Sequence, residues 1–273
     1  MPNPILVICP PKKWVPIDFQ EIWKYRNLLY NFISRDIKIR YKQTVFGFLW
    51  VIIQPVIMMI IFSIIFGRFA NIPSDGIPYP IFSFVALTPW TLFSEGLSRS
   101  ATGMVANAGI ITKVYFPRLI IPISGVLSPL VDFCIASIIL IIMMAYYGII
   151  PTLNFLCIPL FILLAIITAL AIGLWISALN VKYRDFQYTL SFILQLGLYA
   201  SPIAYPISII PEQYRLIYAL NPMVGVIEGF RWALLGVKLP ITEICISIGV
   251  VIIILIGGLF YFKKTEQYFA DVI

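Results

Sequence analysis

The stretch that decides the fold is residues 46–66, FGFLWVIIQPVIMMIIFSIIF, a run of 21 residues without a charged side chain. A helix needs about 20 mainly apolar residues to cross the roughly 30 Å hydrocarbon core of a bilayer, because each residue advances it by about 1.5 Å. This segment therefore predicts a membrane-spanning helix. Pro55 is expected to kink it, since proline removes one backbone hydrogen bond.

The rest of the chain has the same character. Of its 273 residues, 61% are hydrophobic and only 11% are charged, which is more apolar surface than a soluble domain of this size can bury. The sequence predicts an all-α integral membrane protein with six transmembrane helices, the fifth of which is short and ends in a proline-rich corner. The predicted spans lie at about 46–66, 81–104, 119–147, 155–179, 188–206 and 241–262.

Basic residues predict the orientation, because Lys and Arg beside the spans are retained on the cytoplasmic side. Eight of the 19 basic residues precede the first span, and the internal loops on the same face carry more. Both termini are therefore expected to be cytoplasmic. Membrane lipids account for the net charge of +7 better than a nucleic acid partner, because anionic head groups attract basic residues next to a membrane.

Residues 1–45 form the predicted cytoplasmic N-terminus, and 46–273 the transmembrane domain. Within 17–42, Ile22, Leu29 and Ile33 fall near one face of a helix, and most of the basic residues fall elsewhere. This pattern indicates an amphipathic helix that lies in the membrane plane. It could serve only as an anchor, or it could act as a lever or gate beside a partner.

The loop between the second and third spans, NAGIITKVYFPRLIIP at 107–122, is short and carries exposed aromatic and basic side chains. Two aromatics are more than topology requires, so the loop is interpreted as a docking element for another protein. The alternative is simple anchoring at the interface. The candidate docking residues are Asn107, Lys113, Val114, Tyr115, Phe116 and Arg118.

Two charged residues interrupt the second span. Glu95 and Arg99 are four residues apart, share a helix face and can pair, and Asp132 in the third span is a second possible partner for Arg99. Charged groups inside a membrane are costly and turn toward protein or water. They are either a structural ion pair or the polar lining of a transport path.

Residues 201–240 are divided by five prolines into two pieces, neither of which is long enough to cross a membrane. The prediction is a re-entrant helical hairpin between spans five and six that dips into the outer leaflet. The residues Tyr218, Glu228, Arg231 and Trp232 would lie near the outer interface. There Glu228 and Arg231 could pair with each other, with water or with a passing solute.

The sequence contains no histidine, no cluster with metal-ligand spacing and no phosphate-binding G-x-x-x-x-G-K-[ST] loop. No catalytic or metal-binding residue is therefore assigned, and no cofactor is expected on this chain. Uphill transport would need energy from a partner subunit or an ion gradient. We find no internal repeat, which disfavours a gradient-driven carrier.

Several motifs resemble one family in the order in which they occur: RDIKIRYKQTVFGFLWVIIQP at 35–55, TKVYFPR at 112–118 and YALNPMVGVIEGFRWALLG at 218–236. The chain resembles the permease subunits of bacterial ABC-2 type polysaccharide exporters, which move O-antigen, teichoic acid or capsule chains across the inner membrane. The resemblance implies a homodimer that binds two copies of a separate ATPase, which holds the ATP and Mg. It also implies that 107–118 is the coupling helix, and that an undecaprenyl-linked glycan passes through a channel at the dimer interface.

A path for a glycan would be lined with aromatic faces and would carry few fixed charges, because sugars have apolar C–H faces and many hydroxyls. Each candidate could instead pack helices or belong to an interfacial aromatic belt. The candidate lining residues are Tyr41, Phe48, Trp50, Trp90, Phe93, Glu95 and Arg99.

Two rival functions remain open at this point. One is an ABC-2 exporter of another lipid or of a drug, which would share the architecture. The other is a membrane-embedded glycan or acyl transferase, which would need its carboxylates gathered in one site, for example Glu95, Asp132 and Glu228. Their different predicted depths argue against this enzyme.

Overall fold

The computed structural model describes residues 19–42, 47–183, 185–266 and 269, without the side chains of Phe19 and Phe48. All regular structure in these residues is helical, as the sequence predicts. The α-helices are α1 (Phe19–Lys24), α2 (Arg26–Lys42), α3 (Gly47–Phe62), α4 (Tyr79–Ala106), α5 (Ala108–Ile111), α6 (Ile120–Leu127), α7 (Leu130–Tyr146), α8 (Ile158–Lys182), α9 (Phe186–Ala200), α10 (Glu212–Tyr218), α11 (Pro222–Leu235) and α12 (Ile241–Glu266).

In the part of the chain that the structure describes, four helical stretches are long and apolar enough to cross a membrane. They are Leu49–Phe69, Ile120–Tyr146, Leu153–Lys182 and Ile241–Glu266. The first joins α3 to a turn of π-helix, and the second joins α6 to α7 across a bend at Pro129. These four stretches coincide with the predicted spans 46–66, 119–147, 155–179 and 241–262.

The other two predicted spans differ from these four. At 81–104, α4 has 28 residues, which is ample length, but Glu95, Arg99 and many hydroxyl side chains make it less apolar. At 188–206, α9 has only 15 residues and ends at Ala200, immediately before Ser201 and Pro202. A helix of that length extends about 23 Å, less than the hydrocarbon core.

The main core is built around α4, which packs against α8, α6, α11 and α7. One close approach is at Ser100, which Gly125 of α6 and Gly173 of α8 face from different helices. A Cβ atom on Gly125 would lie 2.8 Å from the Ser100 backbone nitrogen, and one on Gly173 would lie 2.4 Å from Ser100 Oγ. Small residues let the helix backbones come this close. Such packing matters in a membrane, because moving apolar side chains from lipid into the protein interior contributes little to helix association.

A second apolar cluster joins the ends of several helices with the 107–118 loop. It contains Phe32 of α2, Phe116 of the loop, Phe262 of α12 and the nearby Phe269. Helix α2 packs against α6, so the amphipathic segment predicted at 17–42 lies on the helical core. It is divided at Tyr25 into α1 and α2.

Between α9 and α12 the chain forms two short helices, α10 and α11, where the prolines predict the divisions. Pro211 precedes α10, and Pro222 is the first residue of α11, where the missing N–H of proline costs nothing. The Asn221 side chain caps α11 by accepting a hydrogen bond from the backbone N–H of Met223 at 3.1 Å. With 14 residues, α11 reaches about 21 Å and is too short to cross a membrane by itself.

Candidate functional site

The loop at 107–118 presents a short exposed segment. After α5 the chain leaves the helical path, so the side chains of Lys113, Val114 and Tyr115 extend outward, and Tyr115 is 76% exposed. Together with Ile111, Phe116 and Arg118 they surround a cavity of about 260 Å³. An apolar and an aromatic side chain beside a lysine are the kind of surface that a partner protein covers.

The predicted exposure of Phe116 is wrong. Its side chain is buried, and its ring centroid lies 5.9 Å from that of Phe32 in α2. Arg118 is half-buried, and its backbone N–H donates to Glu266 Oε1 at 3.3 Å. These two residues therefore hold the loop in place, and residues 113–115 are left to face outward.

Helix α2 is tied to the loop by polar contacts as well. Arg35 Nη1 donates to Asn107 Oδ1 at 2.8 Å, and Asn107 Nδ2 donates to the Gly103 carbonyl at 2.8 Å. Tyr115 Oη lies 3.4 Å from Glu21 Oε1 in α1. Partial burial, together with the Glu21 carboxylate, raises the pKa of Tyr115, so the hydroxyl stays protonated and can donate to Glu21.

A polar cluster lies where α2, α4 and α7 meet. Arg40 Nη1 is 2.5 Å from Asp132 Oδ2 and 3.4 Å from Glu95 Oε2, and Arg99 Nε is 3.6 Å from Glu95 Oε2. The Tyr41 hydroxyl donates to Asp132. The cluster holds two basic and two acidic residues and is therefore neutral overall.

The pairing predicted between Glu95 and Arg99 is confirmed, whereas the partner suggested for Asp132 is wrong. Asp132 pairs with Arg40, and Arg99 donates to Ser128 Oγ at 3.4 Å instead. No local pattern predicts Arg40 as the partner, because Arg40 lies on a different helix and precedes Asp132 by 92 residues.

The polar cluster borders a cleft of about 50 Å³ that also includes Gln54 of α3 and Thr91 of α4. A water molecule needs about 10–15 Å³, so this space admits a few waters or a small polar group. Burial and the hydrogen bond to Asp132 raise the pKa of Tyr41, which keeps its hydroxyl neutral. The cleft thus offers hydrogen-bonding groups without a net charge.

The aromatic residues predicted to line a channel include both exposed and buried side chains. Trp50 is 57% exposed on α3, whereas Trp90 and Phe93 are buried with ring centroids 5.4 Å apart. Trp90 packs against Gly197 of α9, so Trp90 and Phe93 support helix packing and do not line an open surface, contrary to the prediction. The side chain of Phe48 lies outside the described residues.

Three other exposed aromatic residues were not among the channel-lining residues predicted from the sequence. Tyr188, Phe192 and Tyr199 of α9 are each more than half exposed. They lie on a helix that packs against its neighbours over a small area. Their spacing of four and seven residues, which places side chains on one side of a helix, was the available signal.

The two charged residues of α11 form a buried ion pair. Arg231 Nη1 lies 2.8 Å from Glu228 Oε1, and the two residues are 1% and 3% exposed. The pairing predicted for them is confirmed, but the predicted access to water is wrong. Trp232 is half-buried and packs edge-on against Phe161.

The guanidinium of Arg231 is almost fully surrounded. It donates to the carbonyls of Ile203 at 3.0 Å and Tyr205 at 3.3 Å, and its central carbon lies 3.7 Å from the centroid of the Phe82 ring. The pair therefore joins α11, the 201–206 corner and α4. Nearby, the Tyr218 hydroxyl donates to the Tyr205 hydroxyl at 3.1 Å.

The carboxylates do not assemble into one reactive site. Glu95 and Asp132 share Arg40, whereas Glu228 belongs to the separate pair with Arg231. Across the described residues, no group of three or more His, Cys, Asp or Glu side chains could hold a metal ion. This arrangement disfavours the transferase alternative.

Comparison with known proteins gives the family. The model of the ABC-2 type transporter family matches residues 27–235. The chain is 30% identical over 257 residues to an O-antigen export system permease protein RfbA of Myxococcus xanthus, covering 92% of this chain and 97% of that protein. It is 32% identical over 248 residues to the protein of the same name in Klebsiella pneumoniae, with 90% and 95% covered. A polysialic acid transport protein KpsM of Escherichia coli is 28% identical over 202 residues, which cover 74% of this chain and 78% of that protein. The family model and the relatives span most of the chain, and the chain belongs to the ABC-2 type transporter family of membrane proteins.

Proposed function

We propose that this chain is the permease subunit of an ATP-driven ABC transporter that exports lipid-linked cell-surface polysaccharide, such as O-antigen, across the bacterial inner membrane. The observation that carries the proposal is the near end-to-end similarity to proteins named O-antigen export permeases. Membership of the ABC-2 family and the long apolar helices also support a role in transport across a membrane.

The proposal includes six membrane-crossing segments and cytoplasmic termini. Helices α4 and α9 would be the second and fifth segments, since α4 is long enough and α9 is followed by the 201–206 corner. Helices α10 and α11 would form a re-entrant hairpin in the outer leaflet, because neither is long enough to cross. The excess of basic residues before the first span supports this orientation.

The proposed assembly is a homodimer of this chain with two copies of a nucleotide-binding subunit, which binds ATP and Mg. The transported molecule is proposed to be an undecaprenyl-linked glycan. The exposed apolar faces of α3 and α9 support a second copy or the glycan as neighbours, because Trp50, Tyr188 and Tyr199 are left uncovered within one chain.

The exposed segment of the loop is the proposed contact with the ATPase. Val114 and Tyr115 offer apolar area, and Lys113 offers charge. Asn107, Phe116 and Arg118 would not be the main contact residues, because their side chains face α2, α4 and α12. A loop that is fixed on its inner side can transmit a push on its outer side.

Helix α2 supplies a route from that loop to the polar cluster. Arg35 and Phe32 contact the loop, and Arg40 and Tyr41 lie at the other end of the same helix, on Asp132. A shift of the loop would therefore move α2 against α4 and α7 and change the shape of the polar cleft. Opening or closing that cleft is the proposed role of α2 as a cytoplasmic gate.

Cysteine cross-linking tests the docking proposal. With the four native cysteines replaced, Tyr115→Cys and Val114→Cys are expected to form cross-links to the proposed nucleotide-binding subunit. Phe116→Cys is the matched control, because Phe116 directly follows Tyr115 in the sequence but its own side chain is buried against α2 and should react little. Equal cross-linking at all three positions, or none at any exposed position of the loop, would reject the docking surface.

A transport assay tests the function itself. The chain and its ATPase, reconstituted together in liposomes, are expected to move an undecaprenyl-linked glycan only in the presence of hydrolysable ATP. ATP hydrolysis stimulated by a different lipid or by a drug, with no response to the glycan, would favour another ABC-2 exporter. Hydrolysis of ATP by the isolated chain would contradict the assignment of a separate motor.

A further inference from the structure

Helix α12 contacts the 107–118 loop at one of its ends. The guanidinium of Arg118 donates to the backbone carbonyl of Glu266, and the Arg118 backbone N–H donates to the Glu266 carboxylate at 3.3 Å. Hydrogen bonds with an ionised partner are stronger than neutral ones. Phe262, one turn earlier, is fully buried in the same apolar cluster as Phe116.

Near its other end, α12 contacts both helices of the hairpin through one side chain. Ser247 Oγ donates to the Ala219 carbonyl at 3.0 Å and accepts from the Gly225 backbone N–H at 3.2 Å. Ala219 directly follows α10, and Gly225 lies within α11. The single buried hydroxyl of Ser247 therefore links the two helices of the hairpin. Gly225 lets α11 come this close, since a Cβ atom there would lie 2.7 Å from Ser247 Cβ.

The helix between these contacts is braced. Ser247 and Glu266 are 19 residues apart, which corresponds to about 29 Å along a helix and so to nearly the whole hydrocarbon core. Besides the single Gly249, this stretch contains the Gly257–Gly258 pair, a point where a helix can kink. Trp175 of α8 covers it, because its indole N–H donates to the Ile254 carbonyl at 2.9 Å and its ring stacks on Tyr261 with centroids 5.0 Å apart.

We propose that α12 transmits movement of the 107–118 loop to the α10–α11 hairpin. Arg118 and Glu266 are the positioning residues at the loop end, and Ser247 is the positioning residue at the hairpin end. A braced helix held at both ends moves as a body, so a push on the loop shifts the hairpin without any direct contact between the two. The inference rests on the proposed function, because the push comes from the ATPase.

The test follows the hairpin in the reconstituted transporter. Tyr214→Cys on α10, where the native side chain is exposed, reports the rate of reaction with a water-soluble maleimide in a background without native cysteines. The rate in the otherwise unchanged transporter should differ between the ATP-bound and nucleotide-free states. Arg118→Ala removes one hydrogen bond and should diminish that difference about fivefold or more, and Ser247→Ala removes two and should diminish it at least as much.

A matched variant separates transmission from general damage. Lys264→Ala alters an exposed residue in the last turn of α12 and leaves the contacts of Arg118 and Ser247 unchanged. It should keep the full nucleotide response. Ser247→Ala changes little volume, so it provides a test even if Arg118→Ala assembles poorly.

Three outcomes decide the inference. Loss of the nucleotide response in Arg118→Ala and Ser247→Ala, with ATP hydrolysis retained, supports it. An unchanged response in these variants while hydrolysis and export continue overturns the α12 link and leaves the proposed function intact. Absence of ATP-driven export by the unaltered transporter overturns both.

Discussion

Removing the negative charge of Glu228 should destabilise the protein strongly. The Glu228→Gln substitution keeps the shape of the side chain but leaves the Arg231 guanidinium buried without a counter-charge, because both residues are almost inaccessible. Breaking a buried ion pair by removing one partner costs about 3–5 kcal/mol. The lower end of that range applies, since the carbonyls of Ile203 and Tyr205 and the Phe82 ring still stabilise the cation.

Thermal unfolding of the purified protein in detergent measures the effect. For a chain of this length, a loss of about 3 kcal/mol corresponds to a fall in Tm of roughly 6–12 °C. Glu212→Gln is the matched control, because its side chain is 91% exposed and lies 3.9 Å from Arg215 in an ion pair with the same three-residue spacing. Such exposed pairs contribute little, so its Tm should change by less than about 2 °C.

The double variant Glu228→Gln with Arg231→Met tests whether the loss of stability comes from the unpaired buried charge or from the loss of side-chain contacts. With both charges gone, no buried ion remains unpaired, and much of the stability should return. If Glu228→Gln lowers Tm no more than Glu212→Gln, water reaches the pair. The reasoning from burial would then be refuted, and the location near water predicted from the sequence would stand.

Two further substitutions, each with a comparison variant, test the packing around α4. Gly125→Ala places a methyl group 2.8 Å from the Ser100 backbone nitrogen and should cost about 1–3 kcal/mol in thermal unfolding. Gly249→Ala meets nothing within 4 Å and should be neutral, and equal effects would contradict the close helix contact. Trp90→Ala should lower stability by about 3–5 kcal/mol because its side chain is buried. Trp50→Ala should leave Tm unchanged and slow export, and normal export in that variant would remove Trp50 from the glycan path.

Features that depend on short sequence separation could be predicted from the sequence. The uncharged run at 46–66 predicts a span because only length and apolarity matter. The pairs Glu95–Arg99 and Glu228–Arg231 follow from their spacing, since residues three or four apart share a helix face. Pro211 and Pro222 mark the starts of α10 and α11 because the missing N–H of proline costs nothing at a helix start.

Features that depend on how helices pack could not be predicted in the same way. Asp132 pairs with Arg40 only because α2 lies against the core beside α7, and no local pattern predicts that position. Its position in a short loop predicts that Phe116 is exposed, but Phe32 of α2 packs against it in the structure. The prolines of 201–240 fix the lengths of the short helices but not their depth, which depends on contacts with Phe82, Ile203 and Tyr205.

The charges of α4, α7 and α11 are balanced within the chain, and this bears on transport. Arg40 and Arg99 offset Glu95 and Asp132 in one cluster, and Arg231 offsets Glu228 in another. A transported molecule must bind well enough to enter a path and weakly enough to leave it. A polymer of neutral hydroxyls at the first cluster, which borders the polar cleft, would meet hydrogen-bonding groups but little net field. An unpaired charge there would be costly in the membrane and would hold a polar solute tightly. Internal pairing thus lowers the cost of placing these charges in a membrane, and it is what the proposed path for a long polar molecule would require.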